Sequence, residues 1–359
     1  MQSLHKDFFY GGIFMFVTLN DGSKMEFDRG TTVAKVAEAI SEGLFRNAVC
    51  GKVDGKLVDL SYSIDHDCAV EIVTLKDKEG LDVYRHTCAH VLAQAVKSIF
   101  PTCRLAIGPV IENGFYYDFD FTTPVTQTDL AKIEEEMKKI IKSDLPIERF
   151  ELSRKEAVKL FKGFKENYKI ELIEDIPDDQ PISCYKQGAF VDLCRGPHLP
   201  STGKIKAFKL TSITGAYWRG NENNKMLTRI YGTAFPKKAE LDDYLVALEE
   251  AKKRDHNKLG RELGLFMTEE TIGQGLPILM PKGAKIFQIL SRFVEDEEER
   301  RGFMLTKTPY MAKSDLYKIS GHWYHYRDKM FVLGDEEKDD EVLALRPMTC
   351  PFQYQIYKN

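Results

Sequence analysis

Two histidines four residues apart, His86 and His90, and a cysteine–histidine pair with the same spacing, Cys194 and His198, are the residues of this 359-residue chain best suited to chemistry. On a helix, side chains at i and i+4 leave the same face. The surrounding run, Tyr84 to Phe100, has apolar residues at 88, 91, 92, 95, 96 and 99, which is one helical stripe. The second pair lies in Asp192-Leu-Cys194-Arg195-Gly196-Pro197-His198, where Gly-Pro forbids regular helix, so this pair rides on a fixed loop. Three imidazoles and one thiol can hold zinc tetrahedrally. The same four groups without a metal can shuttle protons and orient a water. Spacing alone leaves both possibilities open.

The elements that must carry these residues are legible in part. Val17 to Phe27 reads as two short strands around the Asp21-Gly22 turn. A helix over Val33–Ile40 stopped by Gly43, and strands at Ala48–Val53, Lys56–Val58 and Val70–Thr74, complete a small α+β module. Lys76–Gly80 reads as a polar joint. Beyond the His86/His90 helix come strands at Arg104–Ile107 and Gly114–Phe121 and a charged amphipathic helix over 129–143. Ser153 and Glu156 form a capping box for a helix ending at Gly163. Residues 164–235 read as mixed strands and loops, and 238–263 as one long charged connector helix. Ile286–Arg301 reads as a helix, Phe303–Thr308 as a strand stopped by Pro309, and Val342–Leu345 as a short buried strand.

Two further segments could bind ligands. Gly215–Gly220 with Asn221, Asn223 and Asn224 could stack on a nucleotide, but its spacing favours a glycine-rich turn over a packed Trp218. Arg346-Pro-Met348-Thr-Cys350-Pro351 reads as a stiff extended segment, since proline restrains its own and the preceding residue. The composition sets limits. With 43% apolar and 30% charged residues the chain can bury real cores. A net charge of -4 excludes a globally basic nucleic-acid coat, though not local basic strips. Seven scattered cysteines point to a reducing compartment. No apolar run is long enough to span a bilayer. Met15 opens the first strand pattern, so residues 1–14 read as a leader.

Taken in order, these strings resemble the bacterial threonyl-tRNA synthetase family, class II, from about Met15 to Asn359. The resemblance rests on the hairpin-and-helix module, His86/His90, Gly114–Asp118, Cys194–His198, Gly215–Gly220, Asn224–Thr233, Arg254-Asp255-His256, Gly321-His322-Trp323 and Arg346–Pro351. It implies an α+β multidomain chain: a β-grasp, TGS-like domain (15–76), an α+β editing domain (77–236), a linker helix (237–262), and the start of a class II antiparallel-sheet core (263–359). It implies a threonine–tRNA ligase using ATP, Mg2+ and Zn2+, homodimeric through the class II core and cytoplasmic. The editing site would hydrolyse Ser-tRNA(Thr) with His86, His90, Cys194, His198, Asp192 and Lys169 as catalytic groups and Tyr117 lining the pocket. Related alanyl editing domains bind zinc through a similar set, whereas the resemblance here implies metal-free hydrolysis. Cys350 matches a zinc ligand of the synthetic site, with Met348 beside it. The family's Asn-Cys-Pro-Gly-His stands here as Thr349-Cys350-Pro351-Phe352-Gln353, and neither the remaining zinc ligands nor the ATP-gripping arginine is present. The chain therefore reads as an amino-terminal fragment that keeps editing and tRNA-binding parts. A stand-alone deacylase acting in trans, or an RNA-binding module using only the small domain, are the alternatives.

Overall fold

The computed structural model describes residues 14–336 and 338–359. The chain divides into two compact units, one ending at Lys252 and the other running from Lys253 to Asn359. Of the expected leader, residues 1–13 lie outside the described residues, and Phe14 opens the first strand opposite Asp28.

In the first unit, strands Phe14–Thr18 and Lys24–Asp28 form the expected hairpin, with Gly22 at φ +81°, a left-handed value that favours glycine. The sheet order is Lys24–Asp28, Phe14–Thr18, Cys68–Thr74, Ala48–Val53, Lys56–Val58, with the Phe14–Thr18/Cys68–Thr74 pair parallel and the others antiparallel. Helix α1 (Val33–Ile40) lays Val33, Val36 and Ala37 on this sheet, against Met15, Val17 and Val70. Each of these valine and methionine side chains, fully buried, contributes roughly 1.5–3 kcal/mol, and the Ala37 methyl less. Gly43 does not stop α1. The chain breaks at Ser41, whose extended backbone ends α1 and whose hydroxyl accepts from the Leu44 amide to start α2 (Glu42–Asn47).

Lys76–Gly80 is no joint either, because α3 (Lys78–Ile99) already begins there. The Asp77 carboxylate accepts from the Thr74 amide and hydroxyl. Gly80 passes so close that a Cβ would meet the Thr74 carbonyl at 1.9 Å. Helix α3 packs on an antiparallel sheet ordered Ala207–Tyr217, Met226–Phe235, Gly114–Asp120, Arg104–Leu105. Helix α4 (Asp129–Lys142) adds Leu130, Ile133 and Met137 to the same core. A smaller sheet, Ile147–Leu152, Ile182–Gln187, Phe190–Leu193, packs with α5 (Arg154–Gly163), which starts at the capping box. The stretch read as strands and loops also contains α6 (Asn167–Glu174), which carries Lys169.

The connector is two helices, α7 (Lys238–Lys253) and α8 (His256–Glu262). Asp255 breaks it by capping α8, accepting from the Lys258 amide at 2.8 Å. In the second unit, α9 (Pro281–Arg300) has a proline in its first turn. Phe303–Thr308 forms no strand. A three-stranded antiparallel sheet, Met311–Lys313, Leu343–Leu345, Val332–Leu333, packs with α10 (Ser314–Ile319) and α11 (His322–Tyr326) around Tyr317 and Trp323. Cys350 is not held extended between prolines. It opens α12 (Cys350–Lys358), where Pro351 fits because a first-turn residue needs no amide hydrogen bond. The architecture is thus α+β and multidomain. Among the described residues no helix is long and apolar enough to cross a membrane.

Candidate active site: a His/Cys nest on a buried ion pair

Helix α3 and the Cys194–His198 loop bring their pairs together. The His86 ring centroid lies 4.9 Å from that of His90 and 4.5 Å from that of His198, and the His90 and His198 centroids are 4.2 Å apart. The Cys194 Sγ sits 2.9 Å from His86 Nε2 and 3.3 Å from His198 Nε2. Thr87 fixes the far side of His198, its Oγ1 lying 3.2 Å from Nδ1 while accepting from the Leu199 amide. The Gly196 amide donates to the thiol sulfur at 3.2 Å.

Beneath the rings lies an ion pair. Lys169 Nζ is 2.6 Å from Asp192 Oδ1, and both side chains are buried. The Tyr117 hydroxyl closes the triangle, donating to Asp192 Oδ2 at 2.6 Å and accepting from Lys169 at 2.9 Å. His90 Nε2 stands 3.8 Å from Asp192 Oδ2. A charge this deep is tolerated only when paired and hydrogen-bonded, and here each partner has the other plus the phenol.

Burial sets the protonation states. It pushes His90 and His198 well below the usual imidazole range, with neighbouring rings and, at His90, Lys169 adding to the effect. Burial also lowers His86, opposed by a hydrogen bond with the Gly108 backbone. It pushes the Cys194 thiol up to about 12, with the Gly196 amide pulling the other way. Tyr117 is raised by burial and by Asp192. At neutral pH the nest therefore holds three neutral rings and a protonated thiol over one fixed ion pair. Neutral imidazole can take a proton from water, and a carboxylate nearby stabilises the imidazolium that forms.

The site has openings. A cleft of about 380 Å³ exposes His86, Cys194 and Pro197 between Leu57, Glu79 and Arg195. A second, of about 380 Å³, reaches Asp192 between Gln94, Lys97, Glu166 and Phe190.

Seven of the expected site residues thus meet: His86, His90, Cys194, His198, Asp192, Lys169 and Tyr117. Met348 and Cys350 do not join them. They lie in the other unit, both exposed. Sequence reasoning missed Thr87, Asp59 and Tyr185, polar residues whose type and spacing carry no signal. Gly215–Gly220 is a turn over a packed tryptophan: Trp218 is buried against Tyr168 and donates to Glu171.

The nest also fits zinc. Its four donor atoms lie within 4.8 Å of one another, and among the described residues it is the only such His/Cys/Asp/Glu group. Three imidazoles and a thiol match the number and softness zinc takes. His198 Nδ1 and the His86 ring already have hydrogen-bond partners of the kind that orient a zinc ligand. Cys350 gathers no comparable set among the described residues, so the residues present there do not fit a zinc site.

Residues 15–74 match the TGS domain model, and residues 182–231 match that of the threonyl and alanyl tRNA synthetase second additional domain. The chain is 63% identical over 343 residues to a threonine--tRNA ligase of Clostridium perfringens (strain ATCC 13124), covering 96% of this chain and 53% of that protein. It is 64% identical to that of Clostridium botulinum (strain Alaska E43), covering 95% and 53%. It is 53% identical to that of Acetivibrio thermocellus, again over 95% and 53%. The chain spans about half the length of the curated relatives it matches. Over that half, the chain is similar in sequence to threonine--tRNA ligases.

Proposed function

We propose that the nest is the hydrolytic editing site of a threonine–tRNA ligase, removing serine from Ser-tRNA(Thr). The observation that carries this is the convergence of His86, His90, Cys194 and His198 over the Lys169–Asp192 pair beside an open cleft. Serine differs from threonine by one methyl group, which a binding pocket discriminates by only about 1–3 kcal/mol, so selection at a synthetic site needs a second, hydrolytic one. His86 and Cys194 face the cleft and would orient the attacking water and the ester. His90, against Asp192, and His198 would take up and return the proton. Such general acid–base help is worth about 10²–10⁴-fold. We read the reaction as metal-free. If zinc were held by three of the four donors, the position left open would supply a bound water of lowered pKa.

The whole protein's activity follows from the same reading: ATP-dependent attachment of threonine to tRNA(Thr) in the cytoplasm, with Mg2+ and Zn2+. Cys350 would then be one ligand, and Met348 a neighbour, of a synthetic site whose other ligands lie outside the groups gathered here. Homodimerisation is proposed through the second unit, where α9 and the segment after it expose Phe287, Phe293 and Met304.

The test is deacylation of purified Ser-tRNA(Thr) by this chain. Hydrolysis above the spontaneous rate is expected, and it should persist after EDTA dialysis; loss on chelation would make the nest a zinc centre. His86→Ala should abolish it with circular dichroism unchanged. His90 is only 3% exposed, so the matching variant is His90→Gln, which keeps most of its volume. Thr-tRNA(Thr) hydrolysed as fast as Ser-tRNA(Thr) would overturn the assignment.

A further inference from the structure

We propose that Asp59, in the amino-terminal β-grasp module, is a positioning residue of the hydrolytic site, holding the Cys194–His198 loop at its working distance from α3. This deepens the editing reading and rests on it. The module has its own core, in which Leu60 is buried beside Val36 and Ile64, so its neighbour Asp59 is carried on a stiff base. The half-buried carboxylate spans two elements of the other module. Oδ1 accepts from the His198 backbone amide at 2.9 Å, and Oδ2 accepts from the Tyr185 hydroxyl at 2.7 Å.

Both contacts end on the nest. Tyr185 is 3% exposed and sets its ring edge on His198, with centroids 4.4 Å apart. Its hydroxyl fills the concave side of the loop: a Cβ on Gly196 would lie 1.8 Å from that oxygen. Gly196 in turn supplies the amide that holds the Cys194 sulfur. One carboxylate thus locks the amide of one nest residue and the phenol that wedges the other. Hydrogen bonds to an ionised acceptor are the strong, directional kind. The α3 residues His86 and His90 need no such clamp, because a helix fixes their spacing. The loop pair depends on such clamps: Asp59 holds the His198 amide, Thr87 the Leu199 amide and Ser183 the Cys194 carbonyl. Releasing the loop lets the thiol and His198 drift from His86, and misplacement of about 1 Å at a reacting centre costs on the order of 10²-fold in rate.

The experiment compares the full chain with Asp59→Ala, Asp59→Asn and Tyr185→Phe. Two readouts are taken: single-turnover and steady-state hydrolysis of Ser-tRNA(Thr), and the imidazole ring resonances of His198, His86 and His90 by NMR. Asp59→Ala should lower kcat by about 10²-fold with KM within about twofold, and move the His198 ring signals. Asp59→Asn keeps an acceptor for the amide and should recover most of the rate. Tyr185→Phe should give a smaller loss, and adding it to Asp59→Ala should cost little more, because both act through one clamp. Unchanged kcat and unchanged ring signals in a folded Asp59→Ala protein would overturn the proposal, as would a loss that Asp59→Asn fails to rescue. A wild-type chain inactive on Ser-tRNA(Thr), whose His198 signals still move in Asp59→Ala, would overturn the editing reading and leave the positioning role standing.

Discussion

The nest and the Cys350 segment hold the same kinds of side chain in opposite settings. In the nest, a thiol and three imidazoles are assembled from a helix and a loop far apart in sequence, and nearly every polar atom has a partner within the group. Cys350 and Met348 stand exposed at the start of α12, and among the described residues the thiol belongs to no group of three or more His, Cys, Asp or Glu donors. Residue type therefore does not make a site. What makes one is the enclosing core that removes water, fixes distances and shifts protonation. The two units differ similarly in their surfaces. The first fully buries Tyr84, Phe115, Tyr117, Phe119 and Phe161, whereas α9 and the segment after it leave Phe293, Met304 and Leu305 exposed.

The largest expected effect comes from breaking the ion pair under the nest. Asp192→Ala leaves Lys169 buried without its carboxylate and Tyr117 without its acceptor. Uncompensated buried charge costs about 3–5 kcal/mol. Urea unfolding of Asp192→Ala should show that loss, and hydrolysis should vanish. The double variant Lys169→Met/Asp192→Leu should regain most of the stability but none of the hydrolysis. A double variant as unstable as Asp192→Ala would mean that packing, not charge, dominates there.

Next comes the thiol comparison. Cys194→Ala should reduce Ser-tRNA(Thr) hydrolysis by about 10²–10⁴-fold, and Cys350→Ser should leave it unchanged. Iodoacetamide followed by peptide mass analysis should label Cys350 well before Cys194, whose thiol is pushed up to about 12 by burial and so carries little thiolate. Equal labelling would mean that the nest opens in solution.

How much of this could be read from residues alone depends on range. The α3 pair was legible because helical spacing is local, and the loop pair because Gly196-Pro197 excludes helix. Their meeting was legible only by resemblance, since no local rule relates residue 90 to residue 194. Lys169 lies on α6, a short helix whose polar residues hid its period, and Asp59 looks like any turn aspartate. Gly43 and Pro351 misled for a shared reason. Each residue type has a second use, glycine inside a short capped helix and proline in a first turn, and the neighbouring residues decide which one operates.

A smaller effect follows from pH. His90 and His198 are held well below their ordinary range and His86 below it. The unfolded chain, with imidazoles near 6.5, then binds protons that the native nest refuses. Their contribution to stability is complete above about pH 7 and is lost as pH falls below about 6.5. Between pH 7 and 5.5 the loss should be about 1 kcal/mol for each fully buried ring, with less from His86. His66, exposed between Asp54 and Asp65, is raised and works in the opposite direction, its contribution fading as pH rises. Urea midpoints at the two pH values should show the acid loss in the first unit, and His90→Gln should flatten it. An unchanged slope in that variant would place the acid sensitivity elsewhere.

The smallest effect tests the comparison from its other side. Lys313 and Glu341 form an ion pair in the second unit, as Lys169 and Asp192 do in the first. The side chains of the former pair are 62% and 51% exposed, those of the latter 3% and 1%. Exposed charges are stabilised by water almost as well as by each other, and holding two long side chains in one geometry costs entropy. Deleting one partner leaves the other hydrated, not stranded. Lys313→Ala should therefore leave the unfolding midpoint within measurement error, and 0.5 M NaCl should remove whatever difference remains, because salt screens surface pairs and barely reaches buried ones. Asp192→Ala should show the same large loss at both salt concentrations. A salt-insensitive loss in Lys313→Ala would mean that this face of the Met311–Lys313 strand is covered in solution, and that the contrast between the two units is weaker than their surfaces show.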